Sequence, residues 1–230
     1  MRLLLLSNST NFGAPYLQHG APVMAQFLGT CREALFIPYA AITITYDEYE
    51  YKVQEALKPF GINVHSIHKQ NNPVDAVLNA KAIIIGGGNT FRLLHLIQTQ
   101  NLTEAIQKKV KYGTPYIGWS AGSNVAGISI KTTNDMPVDE PESFNALQLI
   151  PLQFNPHFTN EVLPNHNGET RMQRLSEFTL LNPEIPVIGL REGTWITVEN
   201  GMYQYFGESD YLYMKGNETV FAKDAIIKLL

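Results

Sequence analysis

The chain has 230 residues, 44% hydrophobic and 17% charged, enough for a sizeable core in a single domain spanning 1–230. Its net charge of −4 comes without a basic cluster, which excludes the Lys/Arg footprint of a nucleic-acid binder and leaves small molecules or peptides as partners. A lone Cys31 excludes an internal disulfide and no Cys/His group has zinc-like spacing, so a reducing compartment is expected, with no metal and no cofactor.

The first strand is expected over Arg2 to Ser7. Its apolar run, Leu3 to Leu6, gives way at once to Ser7-Asn8-Ser9-Thr10-Asn11 and is too short for a signal-peptide core or a membrane span, so a cytoplasmic chain is expected. Cys31 reads as a buried structural thiol. Strands follow at Ala34 to Pro38, Asn63 to Ser66, Ala82 to Ile85 and Tyr116 to Ile117. Helix-period segments lie near Tyr46 to Lys58, Thr90 to Gln98 and Leu102 to Tyr112, with a short helix at Pro73 to Asn79. This alternation is the signature of an α/β fold, a mostly parallel central sheet flanked by crossover helices. After Ile128 the pattern changes: Asn134 to Glu142 is a polar, proline-punctuated loop. Strands then read at Pro186 to Leu190, Thr194 to Val198 and Met202 to Phe206, the last two joined by Asn200-Gly201 into a C-terminal β-hairpin.

The run Gly118-Trp119-Ser120-Ala121-Gly122 carries the chemistry. A G-x-S-x-G pentapeptide between an apolar strand and a small-residue helix start is the setting of a nucleophile elbow, in which Ser120 stands exposed on a sharp turn. A serine hydroxyl is a poor nucleophile at neutral pH and needs a histidine, itself oriented by an acid. His157, after the rigid Asn155-Pro156 step, is the first choice of base, and His166 in its polar loop is the second. His95 reads as a structural imidazole within a helix, and His65 and His68 are too few for a metal site. Two acids are open. Asp135 would give the Ser, Asp, His order of α/β-hydrolases, whereas Glu192 stands at a strand end before a glycine turn. Oxyanion donors are expected from the amide of Ala121 and from the bare backbone of Gly86-Gly87-Gly88-Asn89-Thr90, with Gly87 or Gly88 as the second donor. The same glycines also fit an anion cradle, although the Lys of a P-loop is missing.

Gly86 to Thr90, the elbow at Ser120, Asn155-Pro156-His157-Phe158 and Gly168-Glu169-Thr170-Arg171, in this order over nearly the whole chain, resemble the peptidase E family of aspartyl dipeptidases. The resemblance implies a cytoplasmic serine exopeptidase that cleaves dipeptides with an N-terminal aspartate, on a fold related to the class I glutamine amidotransferases. It implies catalytic roles for Ser120 and His157, with Asp135 or Glu192 as third member; in the mechanism that follows, the amides of Gly88 and Ala121 are expected to stabilise the oxyanion. The substrate's side-chain carboxylate then calls for a guanidinium. Arg171 is the candidate, with Arg191 and Arg92 beside the expected catalytic loops as alternatives. Asn89, and Asn11 in the polar loop after the first strand, are further expected substrate contacts. Rival readings are an α/β-hydrolase-type esterase using Asp135, a cyanophycinase-like enzyme cleaving β-aspartyl bonds, and a non-catalytic anion or nucleotide binder built on Gly86 to Thr90.

Overall fold

The computed structural model describes residues 1–162, 167–223 and 226–227, so His166 lies outside the described residues. In the first half the elements are β1 (Arg2–Leu6), α1 (Gly20–Leu28), β2 (Glu33–Ile37), α2 (Tyr46–Leu57), β3 (Asn63–Ser66) and α3 (Pro73–Asn79). They continue through β4 (Ile83–Ile85), α4 (Thr90–Thr99), α5 (Leu102–Lys111), β5 (Tyr116–Trp119) and the single turn α6 (Ala121–Asn124). The remainder contains β6 (Gln153–Asn155), α7 (Arg171–Leu181), β7 (Val187–Gly189), β8 (Trp195–Glu199) and β9 (Met202–Phe206), then β10 (Tyr211–Lys215), β11 (Glu218–Ala222) and β12 (Ile226–Ile227). The expected strands and helices of the first half appear within one or two residues of their expected ends.

The large sheet has the order β12-β9-β8-β1-β5-β4-β2-β3. Its five strands from β1 to β3 are mutually parallel, while β8, β9 and β12 run antiparallel along the other side. Parallel strands are covered on both faces and read as continuous apolar runs, as Leu3-Leu4-Leu5-Leu6 and Ile83-Ile84-Ile85 do. The period of two divides them. Leu3, Leu5, Ile83 and Ile85 pack with Leu93, Ile97, Leu102 and Ile106 of α4 and α5. Leu4, Leu6, Ile84, Ile117 and Trp119 pack on the opposite face with Met24 and Phe27 of α1 and Tyr49 and Val53 of α2. Helix α2 begins at a capping box, in which the Thr45 hydroxyl accepts from the Glu48 amide and the Glu48 carboxylate accepts from the Thr45 amide.

A second sheet, order β11-β10-β7-β6, is an addition to the expected single central sheet. It pairs β6 with β7 in parallel, setting Asn155 beside Gly189. The residues leaving these two strands are therefore delivered to the same place. The hairpin at Asn200-Gly201 is present as β8–β9, and β10–β11 forms another across Gly216-Asn217. Cys31 departs from expectation: it is half-buried, and its thiol donates to the Glu33 carbonyl at 3.3 Å.

Candidate active site

Ser120 follows β5 directly and precedes α6, with φ 53° and ψ −115°. This is a conformation that a residue with a side chain adopts only when its surroundings impose it. The amide of Ser120 donates to the Leu6 carbonyl at 3.2 Å, and its own carbonyl accepts from the amides of Ser123 and Asn124, both at 2.9 Å. The Ser123 hydroxyl lies within hydrogen-bond distance of the carbonyls of Leu6 (2.7 Å) and Gly118 (2.9 Å). The turn can be this tight because Gly122 has no side chain: a Cβ there would lie 2.1 Å from the Ile85 carbonyl oxygen. Ala121, as first residue of α6, has an amide with no acceptor inside the helix.

His157 arrives from the other sheet. Beyond β6 and β7 the chains stay tied, Leu190 donating to the Asn155 carbonyl at 3.0 Å and Phe158 to the Leu190 carbonyl at 2.8 Å. Ser7, at the end of β1, joins the two sheets: its hydroxyl accepts from the His157 amide at 2.9 Å and donates to the Leu190 carbonyl at 2.8 Å. Held with φ 54°, His157 places Nε2 2.9 Å from the Ser120 Oγ and Nδ1 2.8 Å from the Glu192 Oε1. An ionised carboxylate only accepts, so Nδ1 carries the proton and Nε2 presents its lone pair to the serine hydroxyl. Such a chain of contacts can take the proton from Ser120 as its oxygen attacks an acyl carbon.

Asp135 is elsewhere. Its Oδ2 accepts from the Thr90 amide at 2.7 Å, from the Thr90 hydroxyl at 2.5 Å and from the Thr133 hydroxyl at 3.2 Å. The expectation that it orients the imidazole is thus corrected: it satisfies the start of α4, where free amides attract an acceptor. The esterase reading loses the acid on which it rested. Gly88 (φ 135°) packs against Ala40, whose carbonyl oxygen would lie 2.2 Å from a Cβ, and the Gly87 carbonyl accepts from the Tyr49 hydroxyl at 2.9 Å. Asn89 caps α4, accepting from the Arg92 amide at 3.0 Å and donating to the Met136 carbonyl at 2.8 Å.

Two cavities meet at Ser120 and His157. The smaller, about 170 Å³, is lined by Thr90, Ala121, Asn134, Asp135 and Arg171, and the larger, about 420 Å³, by Tyr16, Ala40, Ile42, Lys52, Gly88, Asn89 and Trp119 among others. Arg171, at the start of α7, donates to the His157 carbonyl, and among the described residues no carboxylate pairs with it. Burial lowers its pKa and Arg174 adds to this, with Glu192 opposing. The other candidate arginines are engaged: Arg92 binds Asp139 at 2.6 Å, and Arg191 lies over the Phe158 ring and bonds Asn160. Asn11, expected in the substrate pocket, lines neither cavity; its Oδ1 accepts from Asn8 at 2.8 Å, and Asn8 in turn accepts from the Gly193 amide. It supports the turn carrying Glu192 instead. His95 is structural as expected, its Nδ1 2.8 Å from the Glu140 carbonyl oxygen. Ligand atoms of Asp47, Glu50 and His68 lie within 4.8 Å of one another, but the Lys69 ammonium already bridges the two carboxylates, 2.7 Å from Asp47 and 2.5 Å from Glu50. Sequence reading missed Ser7, which sits at the end of an ordinary strand and bears no motif.

The family model for peptidase family S51 matches residues 3–206. Peptidase E of Nostoc sp. is 49% identical over 219 residues, covering 94% of this chain and 90% of that protein. Peptidase E of Salmonella gallinarum is 48% identical over 227 residues, covering 99% and 97%. The crystal structure of a peptidase from an acI-B1 actinobacterium shares the fold with a TM-score of 0.69 at 17% identity, covering 99% of this chain and 96% of that one. No helix among the described residues is long and apolar enough to cross a membrane. The chain belongs to peptidase family S51 and is a serine-type dipeptidase.

Proposed function

We propose that this dipeptidase cleaves Asp-Xaa dipeptides through an acyl-enzyme on Ser120. The observation that carries the reading is Arg171: a half-buried guanidinium with no carboxylate partner among the described residues, in the wall of a cavity of about 170 Å³ that opens on Ser120. A short acidic side chain entering that cavity would supply the missing charge through charge-assisted hydrogen bonds. His157 takes the proton from Ser120 as it attacks the aspartyl carbonyl, and Glu192 stabilises the imidazolium that forms. The amides of Gly88 and Ala121 receive the oxyanion, His157 protonates the leaving amine, and water releases aspartate. Asn89, on the rim of the larger cavity, contacts the substrate backbone. One hydrophobic core contains Leu3 and Ile85 of the large sheet together with Phe154 and Ile188 of the small one, which supports a single domain over 1–230. A cytoplasmic setting fits the free thiol of Cys31.

Hydrolysis of Asp-Leu beside Asn-Leu, Glu-Leu and β-Asp-Leu tests the reading. Aspartate is expected from Asp-Leu alone, with release abolished in Ser120→Ala. Arg171→Ala should lower kcat/KM for Asp-Leu about a hundredfold. Turnover of β-Asp-Leu in preference to Asp-Leu would point to a cyanophycinase-like specificity, and unchanged kinetics in Arg171→Ala would remove that residue from the pocket.

A further inference from the structure

The larger cavity contains a cation that its own helix leaves unpaired. On α2, Glu48 and Lys52 stand four residues apart in the orientation that favours an ion pair along a helix. Glu48 is drawn the other way: its Oε2 accepts from both the amide and the hydroxyl of Thr45, each at 2.8 Å. Among the described residues no carboxylate lies within ion-pair distance of Lys52, and its ammonium sits 5.2 Å from the centroid of the Tyr16 ring. Burial and the neighbouring Tyr49 push the Tyr16 phenol well up, so it stays neutral beneath that ammonium. Among the described residues, no acidic side chain lines this cavity.

The rest of the cavity suits an apolar side chain. Trp119 and Tyr49 lie at its inner end, tied by the indole N–H donating to the Tyr49 hydroxyl at 3.2 Å. Ala41, Ile42 and Ile44 form its rim, Ile42 standing 56% exposed, with buried Ala40 beneath them. His157, which must protonate the departing amine, is in its wall. In a dipeptide, the leaving residue's carboxylate is one carbon away from the scissile nitrogen. It therefore falls in the same cavity as that residue's side chain.

We infer that the larger cavity is the leaving-group subsite, in which Lys52 binds the free C-terminal carboxylate of the dipeptide while Tyr16, Ile42 and Ile44 receive an apolar second side chain. This rests on the Asp-Xaa reading above and explains why a second residue must be the last one: a peptide continuing past it would replace the carboxylate by a neutral amide.

The test compares kcat/KM for Asp-Leu and for Asp-Leu-amide, which differ only in that carboxylate. The wild type should prefer Asp-Leu about threefold to fivefold, the effect expected of a solvent-facing charge pair. Lys52→Met should bring the ratio close to one, acting mainly through KM, and Lys52→Arg should restore most of it. A wild-type ratio near one, or a preference that persists in Lys52→Met, would overturn the assignment of Lys52. Equal turnover of Asp-Leu and Asp-Glu by the wild type would overturn the apolar part. Failure of the wild type to cleave either aspartyl substrate would instead sink the Asp-Xaa reading itself, a result recognisably different from both.

Discussion

The serine and the histidine are held by opposite means. Ser120 stands on the buried parallel sheet, where its turn is fixed by exclusion: backbone approaches so closely at Gly122 that no other residue fits. His157 and Glu192 leave the small sheet and are held by hydrogen bonds, with the side chains of Ser7 and Asn8 joining them to the end of β1. Damage to the first region should therefore be steric and abrupt. Damage to the second should be graded and should appear in kcat before it appears in stability.

The largest expected contrast lies between two carboxylates, Glu192 of the second region and Asp135 at the start of α4. Glu192→Gln should lower kcat about a thousandfold or more, because an amide does not enforce the imidazole tautomer. Asp135→Asn should cost at least tenfold less activity and instead remove about 1 kcal/mol of stability at the start of α4, read as a lower denaturant midpoint. The reverse ranking would return the acid's role to Asp135. On the steric side, Gly122→Ala should lose roughly 3 kcal/mol of stability together with activity, since the methyl must displace the Ile85 carbonyl. A variant with unchanged melting temperature would show that the turn has slack.

Smaller effects sharpen the comparison. Ser7→Ala leaves the His157 amide without its acceptor and should reduce kcat about tenfold with KM nearly constant; a change confined to stability would make Ser7 a packing residue only. His19, beside the Glu192 turn, has its pKa lowered by burial, opposed by Asn8 and by the charge of Glu192. The unfolded chain then binds a proton more readily than the folded one, so stability is fully present above the ordinary imidazole value of 6.5 and falls as pH drops below it. His19→Gln should flatten that decline between pH 7.5 and pH 5.5, and an identical decline in both proteins would assign it to other groups.

The parallel half was legible because each of its elements announces itself locally. Ile83-Ile84-Ile85 is apolar on both faces, and Asn72 caps Val74 and Asp75 at the start of α3, where Pro73 occupies the first helical position. Helix α1 was not expected because it lacks such signals: His19 precedes it without a side-chain cap, and its first turn contains no acid. Helix α7 was missed despite a readable one, the capping box formed by Thr170 and Gln173. The hairpin at Gly216-Asn217 likewise carried a two-residue turn signal. Within the site, motif and context single out Ser120 and His157 as candidates, and the structure brings these two side chains into contact. The choice between Glu192 and Asp135 could not be made in this way, because it depends on the register of β6 against β7, which no local pattern encodes. Asn11 was placed in the pocket from its strand-end position alone, and only the Asn8–Gly193 contact reveals that it faces the other way.

The backbone of Ser120, at φ 53° and ψ −115°, also sets a limit on durability. A side chain held in so sparsely populated a region costs about 1–3 kcal/mol, a large share of the margin by which an ordinary domain stays folded. Glycine would occupy the same angles with little penalty. A chain with glycine at position 120 should accordingly be inert yet outlast the enzyme on heating, so that reactivity and lifetime are set against each other at a single pair of dihedral angles.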